Sequence, residues 1–230
     1  MKVLNLFFKR GTAAPMLALI FATVMSVSVV TARIVWTGNL RYGFLIWNLF
    51  LAWLPLVFAL LACDRYCNRA GRSWSLAGLA GAWLVFFPNA PYIFTDLIHL
   101  TTYFRGHFWI DMVLILMCAL TGLVLGFVSL YLMQSIVTRM FGRAAGWVFI
   151  AVSAGLGSFG IFLGRFLRFN SWDVLNPTKL FQGVGNWTAA SGYYSLPFLF
   201  LFAGFLFVAY LMLYALTHLS PAQMTVTAAK

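Results

Sequence analysis

Four acidic side chains, Asp64, Asp96, Asp111 and Asp173, are all that this 230-residue chain contains, and there is no glutamate. Three of them lie in or beside two short polar islands. One is FFPNAPYIFTDLIHL (86–100), with Asp111 shortly after it; the other is GRFLRFNSWD (164–173). Carboxylates are costly in or near lipid, so those that persist there have a partner or a task. Asp96 and His99 are three apart and share a face if their segment is helical. That spacing lets a carboxylate orient an imidazole for proton transfer, or lets both bind one divalent metal. Arg165 and Arg168 are also three apart, and guanidinium groups grip phosphate oxygens in bidentate fashion. Asn89 and Asn170 add neutral donors, while Asp111 and Asp173 can balance charge or bind a metal.

The candidate catalytic set is therefore Asp96, His99, Asp111 and Asp173, and the candidate anion-binding set is Arg165, Arg168, Asn89 and Asn170. Three functions fit these residues. The first is an enzyme that binds or processes an anionic lipid or a lipid-linked phosphate. The second is a gated path for an ion or small solute. The third is a non-catalytic network of paired charges that pins loops at the membrane interface. The stretch SLAGLAGAWLVF (75–86) carries no ionisable group, which weighs against a path for charged solutes. No cofactor is implied beyond a divalent metal at Asp96 and His99.

Other motifs reduce to packing. Gly155-x-Gly157-x-x-Gly160 matches a dinucleotide fingerprint but lies inside an apolar segment with no strand before it. Cys63 and Cys67 lack the second ligand pair of a zinc site. Ser158 falls toward the outer end of its segment and His218 at the cytoplasmic end of the last one, which argues against a serine protease.

These groups must be positioned by a membrane protein. Hydrophobic residues make up 63% of the chain and charged residues 8%, and mean hydropathy is +0.93. A soluble domain carries roughly 25% charged residues; a chain this apolar uses lipid as its solvent. The net charge of +11 does not indicate nucleic acid, because the basic residues are spread over alternate loops as membrane orientation requires. The expected fold is an all-α polytopic bundle, one domain with six spans near 13–36, 43–62, 75–94, 109–133, 146–166 and 193–216. The first is expected to remain uncleaved. Nine Lys and Arg residues fall on one side and six on the other, so both termini are expected in the cytoplasm. Both polar islands then face outward.

The third span is expected to break at PNAP, because Pro88 and Pro91 each remove a backbone donor and disfavour helix at the residue before. Irregular backbone at membrane depth survives only where protein or a wet cavity covers it. Asn89 is placed to satisfy a carbonyl freed by the break. The fifth span, rich in Gly, Ala and Ser, is expected at the packed centre, with GxxxG pairs at Gly122/Gly126 and Gly160/Gly164 allowing close helix approach. The bulky sixth span is expected to face lipid.

Together, WNLFLAWLPL (47–56), FFPNAPYIFTDLIHL and GRFLRFNSWD resemble the bacterial membrane proteins grouped as domain of unknown function 1361. The resemblance runs from about Asn39 to Leu216. It implies a multi-pass protein of the bacterial inner membrane and brings with it no reaction, cofactor or substrate.

Overall fold

The computed structural model describes residues 13–68, 74–102, 107–169 and 177–218. Asn170 and Asp173 lie outside the described residues. Among those described, every regular element is helical: α1 (Ala13–Thr37), a short 3-10 turn (Leu40–Tyr42), α2 (Gly43–Asn68), α3 (Trp74–Phe86), α4 (Asn89–Tyr92), a 3-10 segment (Ile93–Ile98), α5 (His99–Thr102), α6 (Phe108–Phe141), α7 (Arg143–Phe166) and α8 (Pro177–His218). Six stretches are long and apolar enough to cross a membrane, Ala13–Thr37, Leu40–Cys67, Trp74–Ile98, Phe108–Phe141, Arg143–Phe166 and Leu196–Thr217, the number expected. One difference is the start of α8. The Gly-containing stretch up to Gly192 reads as a link, yet the helix already begins at Pro177. Proline suits the first helical position, where its missing N–H has no partner to lose.

The packed centre is the fourth span. In α6, 67% of the apolar window is buried, against 44% in α7 and 11% in the sixth span. Only part of the small-residue set of α7 turns inward: Ser153, Ala154, Gly157 and Ser158 are buried, while Ala151 and Gly155 lie exposed beside Val148, Val152, Leu156 and Phe159. In contrast, α6 meets α1, α2, α4, the 3-10 segment and α7. Its buried face carries Leu114, Ile115, Cys118, Ala119, Leu125 and Leu130. Small residues on a helix thus mark a close contact, not the centre of the bundle.

The third span is interrupted where the prolines require it. The thirteen residues of α3 rise about 20 Å at ~1.5 Å per residue, short of a ~30 Å hydrocarbon core. Beyond them Asn89 Nδ2 donates to the Phe86 carbonyl at 3.0 Å, and Tyr92 N donates to Pro88 O at 3.0 Å. These bonds supply partners that a continuous helix would have provided. Protein covers the break: Phe87, Ala90 and Ile93 are almost fully buried.

The cover consists of the glycines of the two neighbouring helices. A Cβ added at Gly122 would lie 2.7 Å from the Ala90 carbonyl oxygen, and one at Gly126 would lie 2.9 Å from Ala90 Cβ. On α7, a Cβ at Gly160 would meet Pro88 Cγ at 2.4 Å, one at Gly157 would meet Phe87 Cε1 at 2.9 Å, and one at Gly164 would meet Tyr92 Cε2 at 3.1 Å. Both GxxxG pairs therefore face one object, the broken segment 87–92. Without a hydrophobic force between helices in lipid, such close van der Waals contact carries much of the association. Polar bridges add to it. Trp83 Nε1 donates to Ser129 Oγ at 3.1 Å, and Ser158 Oγ donates to the Leu199 carbonyl at 2.8 Å. Each such bridge is worth about 0.6 kcal/mol in a membrane protein.

Candidate functional site

Past the break the chain tightens into the 3-10 segment, where side chains three apart eclipse one another. This makes two rows. Ile93 and Asp96 turn inward, at 0% and 1% exposure. Tyr92 and Thr95 turn toward the end of α7, where Arg165 lies in the last turn. Arg165 reaches both rows. Its Nε and Nη2 donate to Thr95 Oγ1 at 3.0 and 2.7 Å, its Nη2 also donates to Asp96 Oδ1, and its guanidinium carbon sits 4.7 Å from the Tyr92 ring centre. Thr95 in turn donates to the Tyr92 carbonyl at 2.7 Å. The second oxygen of Asp96 accepts from Asn48 Nδ2 of α2 at 3.0 Å. Four segments of chain thus meet on one buried carboxylate and its arginine.

His99 stands at the rim of this assembly with a third of its side chain exposed. Its Nε2 lies 3.8 Å from Asp96 Oδ1, too long for a hydrogen bond, and 3.5 Å from Arg165 Nη1. Arginine has no lone pair, so a bond at that approach needs Nε2 unprotonated. The guanidinium sits within reach of both groups, and a divalent cation bridging Asp96 and His99 would have to displace it. Among the described residues no three His, Cys, Asp or Glu side chains gather where a metal ion could sit.

Asp111 has a different partner. It opens α6 and receives Arg33 of α1 in bidentate fashion, Nε to Oδ1 at 2.7 Å and Nη2 to Oδ2 at 3.2 Å. The Arg33 guanidinium also lies 5.2 Å from the Trp36 ring centre, and the buried Tyr42 places its hydroxyl against the same carboxylate. Arg168, three residues past Arg165, is exposed and adopts φ 56°. It occupies the position after the helix end that glycine usually takes, and Phe169 N folds back to donate to Leu163 O at 3.1 Å. Asn89 is half-buried, with its amide committed to the Phe86 carbonyl. Hence the structure joins Asp96, His99 and Arg165, gives Asp111 to Arg33, and leaves Arg168 at the surface.

Three contributors have little signature in the sequence: Asn48, Thr95 and Arg33. The available signal was a polar residue inside an apolar run, which in a membrane requires a partner. No buried side-chain nitrogen or oxygen among the described residues is left without a hydrogen bond.

Six apolar helices around a buried ionic network, the third of them discontinuous, define a polytopic α-helical membrane protein. The chain belongs to the family described as Protein of unknown function (DUF1361), whose model matches residues 47–212. It matches no curated protein and no solved structure.

Proposed function

We propose that this is a multi-pass protein of the bacterial inner membrane, with both termini in the cytoplasm, in which Asp96 and Arg165 form a non-catalytic ionic clasp. In this reading the clasp holds the discontinuous third span against α2 and α7, and the protein serves in membrane structure or assembly. One observation carries the reading: Asp96 is 1% exposed and both of its oxygens are taken, by Arg165 and by Asn48. A carboxylate so enclosed has no oxygen turned to a substrate.

Breaking one partner of a buried pair leaves an uncompensated charge and costs about 3–5 kcal/mol, whereas replacing both by apolar groups of similar volume is close to neutral. Asp96→Leu and Arg165→Met should each lower membrane abundance and melting temperature, and the double variant should recover most of both. Single variants that keep wild-type abundance and melting temperature, yet fail to restore a deletion strain, would show a working site instead.

A second reading is favoured by Arg168. A non-glycine residue in left-handed conformation costs roughly 1–2 kcal/mol, and strained residues cluster at functional sites. Arg168, with Asn89, Asn170 and the rim imidazole of His99, would then bind a lipid-linked phosphate, with Asp96, Asp111 and Asp173 in supporting roles. Retention of a polyprenyl phosphate by the purified protein, lost in Arg168→Gln, tests it; equal retention by both rejects it.

A further inference from the structure

The opposite end of α6 holds a cavity of about 580 Å³ between the end of α6, the start of α7 and the end of α8. From Asp111 to Arg139 the helix rises roughly 40 Å at ~1.5 Å per residue, so this cavity and the Asp96–Arg165 assembly lie at opposite membrane faces. Its walls include two arginines, Arg139 in the last turn of α6 and Arg143 at the first position of α7, and no carboxylate. Both arginines are exposed. The corner that brings them together is tight: Gly142, at φ 92°, joins the helices, and a Cβ on Gly146 would lie 2.1 Å from Thr138 Oγ1. Between the arginines and the bundle sit Gln134, buried at 6% and bonded to the Tyr210 hydroxyl, and the aromatic pair Trp147 and Tyr214, ring centres 5.0 Å apart.

A second, narrower cleft of about 70 Å³ adjoins it, lined by Phe127, Val128, Leu213, Tyr210 and Thr217 and sharing Tyr131 and Tyr214 with the first. A cationic chamber at a helix corner thus continues into an apolar slot along the α6–α8 seam. We infer that this composite site binds an anionic phospholipid, its phosphate on Arg139 and Arg143 and part of an acyl chain in the slot beside Val128. The guanidinium forks match phosphate oxygens, the amide of Gln134 supplies a neutral polar group, and the aromatic rings sit where a lipid passes from headgroup to chain. A soluble phosphate would satisfy the arginines but leave the slot without an occupant, which favours the lipid.

The test uses the full-length protein in micelles doped with equal phosphatidylglycerol and phosphatidylcholine, with retained lipid counted by native mass spectrometry. Wild type should retain phosphatidylglycerol in preference. Arg139→Gln with Arg143→Gln should reduce that preference by about tenfold or more, since both charge-assisted hydrogen bonds to the phosphate are lost. Arg41→Gln, at the other face, should leave it unchanged. Val128→Trp, which fills the slot and keeps both arginines, should weaken retention as well, and it decides the matter if the double variant fails to fold. Equal retention of both lipids by wild type, or an unchanged preference in the double variant or in Val128→Trp, overturns the assignment. Displacement of the lipid by millimolar inorganic phosphate with Val128→Trp neutral would show a free-anion site and equally overturn it.

Discussion

The two faces of this bundle use arginine in opposite ways. At one, Arg165 and Arg33 are folded inward onto Asp96 and Asp111, and each guanidinium also lies over an aromatic ring. At the other, Arg139 and Arg143 stand exposed around a cavity that no carboxylate lines. The difference follows from where the scarce acids lie. A charge at membrane depth must be neutralised within the protein, whereas one at the interface can be left for a ligand or for water. The ends also differ in how helices meet. Around the paired charges the backbone is broken and held by glycine contacts; around the open cavity α6 and α7 are long and regular.

The largest test of this contrast sets one arginine from each face side by side. Arg33→Met should lower stability by about 3 kcal/mol, because Asp111 would remain buried without its partner. Arg139→Ala should change it by no more than about 0.5 kcal/mol. Both are read as melting temperatures of the purified protein, and equal effects would break the comparison. Next in size come two glycines of α7. Gly157→Ala drives a methyl against the Phe87 ring and should cost about 1–3 kcal/mol. Gly155→Ala, two residues away with nothing within 4 Å, should gain up to about 1 kcal/mol from helix propensity. A loss at both would show that α7 packs on more than the broken segment. The smallest effect is at Arg168, where Arg168→Gly should raise stability by about 1 kcal/mol by relieving the left-handed backbone.

Much of this architecture can be read from residues. Long apolar runs mark the six spans, since twenty such residues have few other solvents than lipid. Pro88 and Pro91 announce the break because their chemistry leaves a helix no alternative. The GxxxG pairs announce close contact but not its object. That both sets of glycines face Phe87–Tyr92 depends on packing of segments more than thirty residues apart, for which spacing carries no information. The clasp is half visible: Asp96, His99 and Arg165 stand out by type, whereas Asn48 hides in an apolar run and Thr95 looks like any turn residue; Arg33, the partner of Asp111, hides in an apolar run as well. Asp111 sits in the expected region yet pairs with α1, because α1 crosses beside the start of α6. Arg139 and Arg143 spoke in the sequence only for orientation, since a cavity is a property of three helix ends at once. The helical stretch from Pro177 was masked by its glycines, whose low propensity is a weak constraint that tertiary context overrides.

The glycine-lined seat for the broken third span has a consequence for biosynthesis. That span has the lowest mean hydropathy of the six, 1.3 against 2.6 for the fourth, so it is the poorest at entering lipid unaided. Its seat is made by helices synthesised after it, and Arg165 follows Asp96 by 69 residues. At ~5–20 residues per second that is a wait of roughly 3–14 s. During the wait Asp96 lacks its arginine and keeps the amide of Asn48, already made. The third span therefore has to linger beside the insertion machinery until the fifth arrives. Slowing or pausing translation between them should expose the nascent chain to proteolysis there more than anywhere else.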